Sequence, residues 1–258
     1  MSRDSTAKVL GVALLLCLVC SILVSAAAVG LRERQERNKV EEKRKNILQA
    51  AGRYEAGIAI EEQFSKIQPR IVDLQNNAFS NDFDPATFDS RGAVRDPATR
   101  YPIPKELDLA AIKARSRYQD VYLVMEGDQL QQLILPVYGK GLWSTMYGFI
   151  SLAEDLTTVN GFAFYEHGET PGLGGEIDNP TWLRQWPGKK IFDESGQLRI
   201  EVLKGTVDRN SPNAVYQADG LAGATLTARG VDNLLKYWMG QDGYKPFIDR
   251  LKQEGVKQ

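Results

Sequence analysis

Cysteine and histidine are the residues that this sequence has least of. Its 258 residues contain two cysteines, Cys17 and Cys20, and a single histidine, His167. Both cysteines lie within a long apolar run, so the rest of the chain can form neither a disulfide nor a thiolate metal site. His167 has Glu166 and Glu169 beside it but no second histidine, a pattern that favours neither a metal site nor a hydrolase. We therefore expect no metal and no catalytic residue in this chain.

Signals for nucleotide and nucleic-acid binding are missing as well. The formal net charge is −1 and the isoelectric point is about 6.0, which gives no electrostatic reason to expect nucleic acid as a partner. Neither a G-x-G-x-x-G fingerprint nor a G-x-x-x-x-G-K-[ST] loop occurs. These absences argue against a Rossmann dinucleotide site and a Walker-type NTPase.

A long apolar run is the clearest feature that the sequence does have. Residues 9–31 carry no charge and are bounded by Lys8 and Arg32, which predicts a transmembrane helix. A cleaved signal peptide is the alternative, because Arg3 precedes the run and small residues at 25–28 could form a cleavage site. We favour an uncleaved anchor, since the run is longer than the apolar region of a signal peptide. Cys17 and Cys20 are interpreted as packing residues within it.

Charge around this run opposes the orientation that we adopt below. Seven basic residues between 32 and 45 follow the run, whereas Arg3 and Lys8 precede it. Positive-inside counting thus predicts a cytoplasmic C-terminal side, although the rule weakens when a long domain follows the helix.

The hydropathy pattern divides the chain into four parts. We predict a short tail at 1–8, a transmembrane helix at 9–31, a stalk with a helical segment and an extended arm at 32–120, and a soluble domain at 121–258. In the third part, Val40, Ile47 and Leu48 are too sparse for a strong core face, and residues 51–78 show a mixed helical pattern broken at Pro69. Alternation predicts a hairpin with strands at 121–125 and 129–135, and further strands at 146–152, 157–165, 198–203 and 214–217. Helices are expected near 181–186 and at the ends. The fold class is α+β, with antiparallel strands packed against helices.

One short stretch combines small residues, two hydroxyls and the start of a helix. Residues 219–227 read D-G-L-A-G-A-T-L-T, and apolar residues then recur at helical spacing from Val231 to Met239. A helix is expected to begin near Thr227, with Thr227 as its N-cap. Because helix starts favour phosphate, the Thr225 hydroxyl would lie beside an anion site.

This stretch resembles the D-G-x-S-G-A-T-x-T/S signature of the FMN-binding domain family. The resemblance implies that Thr225 carries FMN through a phosphoester, with Ala222, Gly223, Ala224 and Thr227 around it. Ala222 departs from the pattern, because the family often has a hydroxyl residue there.

Two further segments are similar to the family and follow its order. The segment Y-G-K-G-L-W resembles a Y-G-x-G-L/I-W pattern, and E-H-G-E-T-P-G-L-G is similar to an E-x-x-E-T-P-G-L-G family segment that lines the flavin pocket. The resemblance thus implies a cofactor site that also includes Tyr138, Gly141, Leu142, Trp143, Glu169, Thr170, Pro171, Gly172, Leu173 and Gly174. An acid or base role for His167 is left open.

With its N-terminal anchor, the chain resembles the membrane-anchored branch of this family. Members of that branch are subunits of sodium-translocating NADH:quinone oxidoreductases and of Rnf electron-transport complexes; the arm and the length favour the former. The resemblance implies a subunit of a six-subunit respiratory complex of the bacterial inner membrane, with a periplasmic domain. It also implies FMN attachment by a separate flavin transferase that uses FAD. A membrane-anchored flavin-binding sensor without electron relay is the alternative from another class.

Overall fold

The computed structural model describes residues 6–256, and the chain divides into two compact units, Met1–Lys43 and Arg44–Gln258. Residues 1–5 of the predicted tail, and 257–258 of the predicted soluble domain, lie outside the described residues. Residues 6–8 of the tail already belong to the first helix.

Helix α1, Thr6–Ala50, forms the described part of the first unit and continues into the second. Its apolar window has a mean hydropathy of 2.8, and the side chains of that window are unburied. The helix is therefore long and apolar enough to cross a membrane, which is consistent with membrane anchoring.

In the part of the second unit that the structure describes, residues 44–256, there are ten strands and five further helices. The strands are β1 Ile67–Asp73, β2 Ala78–Ser80, β3 Arg100–Pro102, β4 Ala114–Ser116, β5 Tyr118–Glu126, β6 Gln129–Lys140, β7 Thr145–Ala153, β8 Val159–Glu166, β9 Glu201–Val202 and β10 Gln217–Ala218. The helices are α2 Ile60–Phe64, α3 Ser90–Ala93, α4 Pro180–Leu183, α5 Thr225–Trp238 and α6 Lys245–Glu254, and 3₁₀ turns cover Gly174–Asp178 and Pro212–Tyr216.

Six of these strands form one antiparallel sheet in the order β2-β1-β5-β6-β7-β8. The strands β3 and β4 form an antiparallel pair, and β9 and β10 a parallel one. The predicted hairpin and the strands predicted at 146–152 and 157–165 correspond to β5 to β8. The α+β prediction is thereby confirmed.

The large sheet buries apolar side chains on both faces. Since successive strand residues point to opposite sides, Val121 and Leu123 join one cluster while Tyr122 and Val124 join the other. The larger cluster includes the apolar stripes of α5 and α6. The smaller one is completed by Ile47, Leu48 and Ala50 at the end of α1 and by Ala51 just after it.

The structure draws the domain boundary earlier in the chain than the sequence predicted. Residues 67–73 were predicted within a helical segment outside the soluble domain, but they form β1 in the large sheet. Pro69 suggested a helix break, yet a proline is tolerated here because β2 pairs only with residues 71–73. At Pro69 the strand has β5 alone as its neighbour, and the compact unit begins at Arg44 rather than at residue 121.

Two other strand predictions were mostly wrong. Of residues 198–203, only Glu201–Val202 form a strand, because the Arg199 and Ile200 N–H groups donate to the Ile191 carbonyl. Of residues 214–217, all but the last lie in the 3₁₀ turn Pro212–Tyr216, which Ser211 caps through the N–H of Asn213. A hydroxyl cap followed by proline starts a helical turn and outweighs the β-branched residue inside it.

Candidate functional site

Thr225 is the first residue of α5, so the N-cap lies three positions earlier than the Thr227 that the sequence predicted. The N-cap is Ala224, whose carbonyl accepts a hydrogen bond from the N–H of Ala228 at 3.0 Å. Among the described residues, no side chain caps this helix start and no group bonds the half-buried Thr225 hydroxyl. The backbone N–H groups of the first turn are thus available to an anion.

Thr227 is not the N-cap that the sequence predicted. It lies inside the first turn of α5, is 1% exposed, and donates its hydroxyl to the Glu169 carboxylate at 2.5 Å. The helix begins earlier because Gly223 takes a left-handed backbone conformation and leaves Ala224 in position to start it.

The first residues of the same stretch, Asp219 and Gly220, are held in place by hydrogen bonds and close packing. The Asp219 carboxylate accepts hydrogen bonds from the Val207 N–H at 2.7 Å and from the Arg209 guanidinium at 2.7 Å. The backbone carbonyl of Asp219 accepts one from the Trp182 indole N–H at 2.9 Å. A Cβ at Gly220 would lie 2.2 Å from the Leu203 carbonyl oxygen. This half of the stretch is scaffold, and only glycine fits at 220.

The middle of the stretch is open to solvent. Ala222 and Gly223 are exposed, and Gly223 has a φ of +72°. A Cβ built at Gly223 would lie 3.2 Å from the Leu173 side chain, which brings the loop 169–175 next to the start of α5.

A buried carboxylate joins this helix start to the second predicted segment. Glu169 is 4% exposed and accepts at Oε1 from the N–H groups of Trp143 at 2.9 Å and Ser144 at 3.2 Å. Its Oε2 accepts from the Leu142 N–H at 3.1 Å and from the Thr227 hydroxyl. One side chain therefore connects the three segments that the sequence singled out.

The environment of Glu169 keeps its carboxylate ionised. Burial raises its pKa, but the hydrogen bonds from the Thr227 hydroxyl and from the N–H groups of Trp143, Ser144 and Leu142 outweigh burial and lower the pKa overall. A negative charge close to the first turn of α5 also fits the positive end of that helix.

Two glycines leave room for this carboxylate. A Cβ at Gly141 would lie 2.5 Å from Glu169 Oε1, and one at Gly174 would lie 2.5 Å from Thr227 Oγ1 and 3.0 Å from Glu169 Oε2. One glycine from each segment thus leaves space for the Glu169 side chain.

Four large apolar side chains stand exposed on these segments. Their exposed fractions are 44% for Leu142, 66% for Trp143, 46% for Leu173 and 54% for Leu226. Exposed apolar side chains gathered on neighbouring loops mark a ligand or partner surface. Leu226 was not predicted as a site residue. The sequence could have indicated it, because Leu226 is an apolar residue next to Thr225 that lies outside the apolar stripe of the helix. Thr170, Pro171 and Gly172 are also exposed, on the loop 169–175 that carries Leu173.

Tyr138 and His167 differ in surroundings from the rest of the predicted set. The Tyr138 ring is 8% exposed, stacks on Tyr147 at 5.5 Å and lies 4.8 Å from Trp238, so it offers little surface to a cofactor. His167 Nδ1 accepts from the Glu169 N–H at 3.2 Å, and its Nε2 lies 3.1 Å from the Asp178 carboxylate. Both ring nitrogens are therefore engaged in holding the loop.

The arrangement suits a phosphorylated group with a flat apolar part. The uncapped helix start offers N–H donors and the Thr225 hydroxyl, and the exposed apolar side chains offer a wall. Within residues 6–256, no group of three or more His, Cys, Asp or Glu side chains could hold a metal ion. The available hydrogen-bond donors, the N–H groups of the helix start and the Thr225 hydroxyl, suit an anion.

Comparison with known proteins agrees with this arrangement. The FMN-binding domain family matches residues 141–240, from the Gly141 loop to just past the end of α5. The crystal structure of NqrC from Shewanella oneidensis is similar with a TM-score of 0.76 and 32% sequence identity, over 86% of this chain and 100% of that one. That of the corresponding Na(+)-translocating NADH-quinone reductase subunit from Parabacteroides distasonis has a TM-score of 0.66 and 26% identity, over 88% and 98%.

Curated relatives match along nearly the whole chain. NqrC of the Na(+)-translocating NADH-quinone reductase from Pseudomonas aeruginosa is 48% identical over 256 residues, which are 98% of either chain. NqrC from Yersinia pestis is 44% identical over 261 residues, covering 99% of this chain and 97% of the relative. The similar structures, the match to the FMN-binding domain family and the full-length relatives all agree. The chain therefore belongs to the NqrC family of Na(+)-translocating NADH-quinone reductase subunits.

Proposed function

We propose that this chain carries FMN bound covalently through a phosphoester to the Thr225 hydroxyl, and relays electrons between redox centres of partner subunits. The observation that carries the proposal is the uncapped start of α5, where Thr225 lies inside the segment matched by the FMN-binding domain family. Bound FMN would supply the redox chemistry. The protein binds, orients and shields it.

The residues around Thr225 would contact different parts of the bound FMN. The first-turn N–H groups of α5 and the exposed backbone of Ala222 and Gly223 would hold the phosphoryl group. Leu142, Trp143, Leu173 and Leu226 would cover the apolar part of the ring. Thr170, Pro171, Gly172 and Gly174 shape the loop that faces it, and Glu169 with Thr227 fixes the two walls to each other.

Attachment requires a donor and a separate enzyme. In the proposed step the Thr225 oxygen forms a bond to the FMN phosphorus of FAD, the pyrophosphate P–O bond breaks, and AMP leaves. The hydroxyl proton passes to a base, which a flavin transferase would supply. Within the described residues the Thr225 hydroxyl has no protein hydrogen-bond partner, so such an enzyme can approach it.

We further propose the setting in which this protein works. It would be one of six subunits of a sodium-pumping complex in the bacterial inner membrane, anchored by the apolar part of α1 with its second unit in the periplasm. Covalent attachment suits that location, because a bound cofactor is not lost where free flavin is scarce. Oxidation of NADH and reduction of quinone would occur on partner subunits, since this chain has no nucleotide-binding motif.

The covalent bond is tested by in-gel fluorescence. The chain is expressed with and without a flavin transferase, denatured and examined under ultraviolet light; wild type with the transferase should retain yellow-green fluorescence. Thr225→Val keeps the shape of the side chain but removes its hydroxyl, and should abolish the signal. Thr206→Val, at an exposed threonine outside the predicted site, is the matched control and should retain it. Wild-type protein that stays dark beside an active transferase would refute the proposal.

Electron relay separates this function from that of a membrane-anchored flavin-binding sensor. Membranes of a strain lacking this chain should lose NADH-dependent quinone reduction, and wild type but not Thr225→Val should restore it. Unchanged activity in the deletion strain would favour the sensor. The side of the membrane is tested separately, with a reporter enzyme fused after Gln258 that is active only in the periplasm.

A further inference from the structure

The Glu169 carboxylate is fully used by the protein itself. A carboxylate offers about four lone-pair sites, and Glu169 receives four donors: three backbone N–H groups of the 142–144 loop and the Thr227 hydroxyl. With 4% of the residue exposed, no oxygen is left for a ligand. Glu169 therefore differs from its neighbours Thr170 and Leu173, which are exposed beside it.

We propose that Glu169 is a positioning residue for flavin attachment: its charge holds the 142–144 loop against the start of α5 and thereby sets the geometry in which Thr225 receives the phosphoryl group. This inference rests on the proposed function. It assigns Glu169 no contact with the flavin, in contrast to the pocket-lining role implied by the family resemblance.

The charge matters because all four neighbours of the carboxylate donate. A glutamine in its place keeps one acceptor oxygen but turns an NH₂ group toward donors, so at least one backbone N–H loses its acceptor. The loop that carries the exposed Trp143 would then be released from the helix.

The shape of the site is specific to this side chain as well. Gly141 and Gly174 leave just enough space for the carboxylate, with built Cβ atoms at 2.5 Å from Glu169 Oε1 and 3.0 Å from its Oε2. Aspartate keeps the charge but is one methylene shorter, so it can reach only some of the four donors. The expected order of function is therefore wild type, then Glu169→Asp, then Glu169→Gln.

The test measures the initial rate of covalent flavin attachment to the full-length chain by a flavin transferase, read as fluorescence of the denatured protein. Glu169→Gln should slow attachment by about 10- to 100-fold, the loss expected from misplacing a reacting group by about an ångström. Glu166→Gln, three residues away and paired with Arg91 outside this network, is the control and should stay within about twofold of wild type.

A second variant pair distinguishes positioning from a general loss of folding. Gly141→Ala should slow attachment, because its Cβ would meet Glu169. Combining it with Glu169→Asp, which withdraws the carboxylate, should restore part of the rate relative to Gly141→Ala alone. Such coupling is expected only between side chains that share one space. A double variant as slow as the product of the two single losses would contradict the proposal.

Trp143 gives a readout that needs no flavin. It is 66% exposed, whereas Trp182 is half-buried and Trp186 and Trp238 are fully buried, so in a Trp182→Phe background quenching by acrylamide reports mainly on this loop. Glu169→Gln should change the quenching of the flavin-free protein, and Glu166→Gln should not. If Glu169→Gln folds, quenches and accepts flavin like wild type, the proposal is overturned. Failure of Thr225→Val to abolish labelling would instead refute the proposed function, so the two failures are distinguishable.

Discussion

The two halves of residues 219–227 are close in sequence but opposite in structure. Asp219 and Gly220 are held by the residues at 203–209 and by Trp182, with no room for a side chain at 220. Ala222 and Gly223 are exposed, and Thr225 offers a hydroxyl at a helix start that no described side chain caps.

This difference explains how one short motif can present a hydroxyl in a fixed place. The first half fixes where the chain enters α5, and the second half leaves the acceptor accessible to an enzyme. A change in the first half should therefore act mainly on stability, and a change in the second half mainly on flavin attachment. Three substitutions in this stretch and one in the next turn of α5 test that division, in decreasing order of expected effect.

Gly220→Ala should be the most damaging change. Its Cβ would lie 2.2 Å from the Leu203 carbonyl oxygen and 3.1 Å from the Lys204 carbonyl, which are backbone atoms that cannot turn away. We expect a loss of about 3 kcal/mol or more in the free energy of unfolding, as for severe overpacking. Urea unfolding of the flavin-free protein measures it. Gly205→Ala, where a Cβ meets nothing within 4 Å, is the control and should be nearly neutral.

Gly223→Ala should cost less stability and more function. The φ of +72° disfavours any side chain by about 1–2 kcal/mol, while the close neighbour is only the end of the flexible Leu173 side chain. We expect a moderate loss of stability together with slower flavin attachment. Gly223→Asn, which tolerates this conformation better, should recover stability. An alanine variant that attaches flavin normally would show that the backbone shape at 223 is not needed.

Arg229→Ala should affect attachment alone. Arg229 lies one helical turn after Thr225, is exposed, and has no hydrogen-bond or ion-pair partner within residues 6–256, in a helix whose first turn contains no acid. A cation there opposes the helix dipole by up to about 1 kcal/mol, so its removal should leave stability unchanged or slightly raised. Loss of a surface charge next to the phosphoryl group should slow attachment by about threefold. Arg229→Lys should restore the rate, and equal rates for all three proteins would remove Arg229 from the site.

Ala222→Ser should have the smallest effect. It restores the hydroxyl that the family pattern often has at an exposed position, where substitutions change stability by about 0.5 kcal/mol or less. Attachment should equal or slightly exceed that of wild type, as measured by the same fluorescence assay. A clear decrease would mean that this chain has adapted to the absence of the hydroxyl.

Sequence patterns predicted the parts of the fold whose pairing is local. The hairpin of β5 and β6 and the adjacent β7 and β8 alternate clearly and are joined by short turns. β1 escaped prediction because its partner β5 lies far along the chain, with the arm in between, and because Pro69 suggests a break. Val40, Ile47 and Leu48 looked too sparse for a core face, yet Ile47 and Leu48 are buried because they lie on the sheet rather than on another helix.

The site was predictable as a set of segments but not as an arrangement. The three segments do come together, and Thr225 lies at a helix start near where the sequence indicated. No pattern could show that Glu169 faces inward while Thr170 faces solvent, because that depends on donors supplied by a distant loop. The cap prediction for Thr227 was wrong for the same reason, since its hydroxyl is used by Glu169.

The buried end of α1 decides where the chain can be shortened. Residues 47–51 fill one side of the sheet, and the backbone there comes so near β8 that a Cβ at Gly161 would lie 2.4 Å from the Ala50 carbonyl oxygen. A soluble fragment that starts at Arg44 keeps this layer, whereas one that starts at Val121 loses it together with β1. A protease that removes only the apolar part of the helix would release an intact domain, but one that cuts after Ala51 would expose Tyr122, Val124 and Phe149 to water.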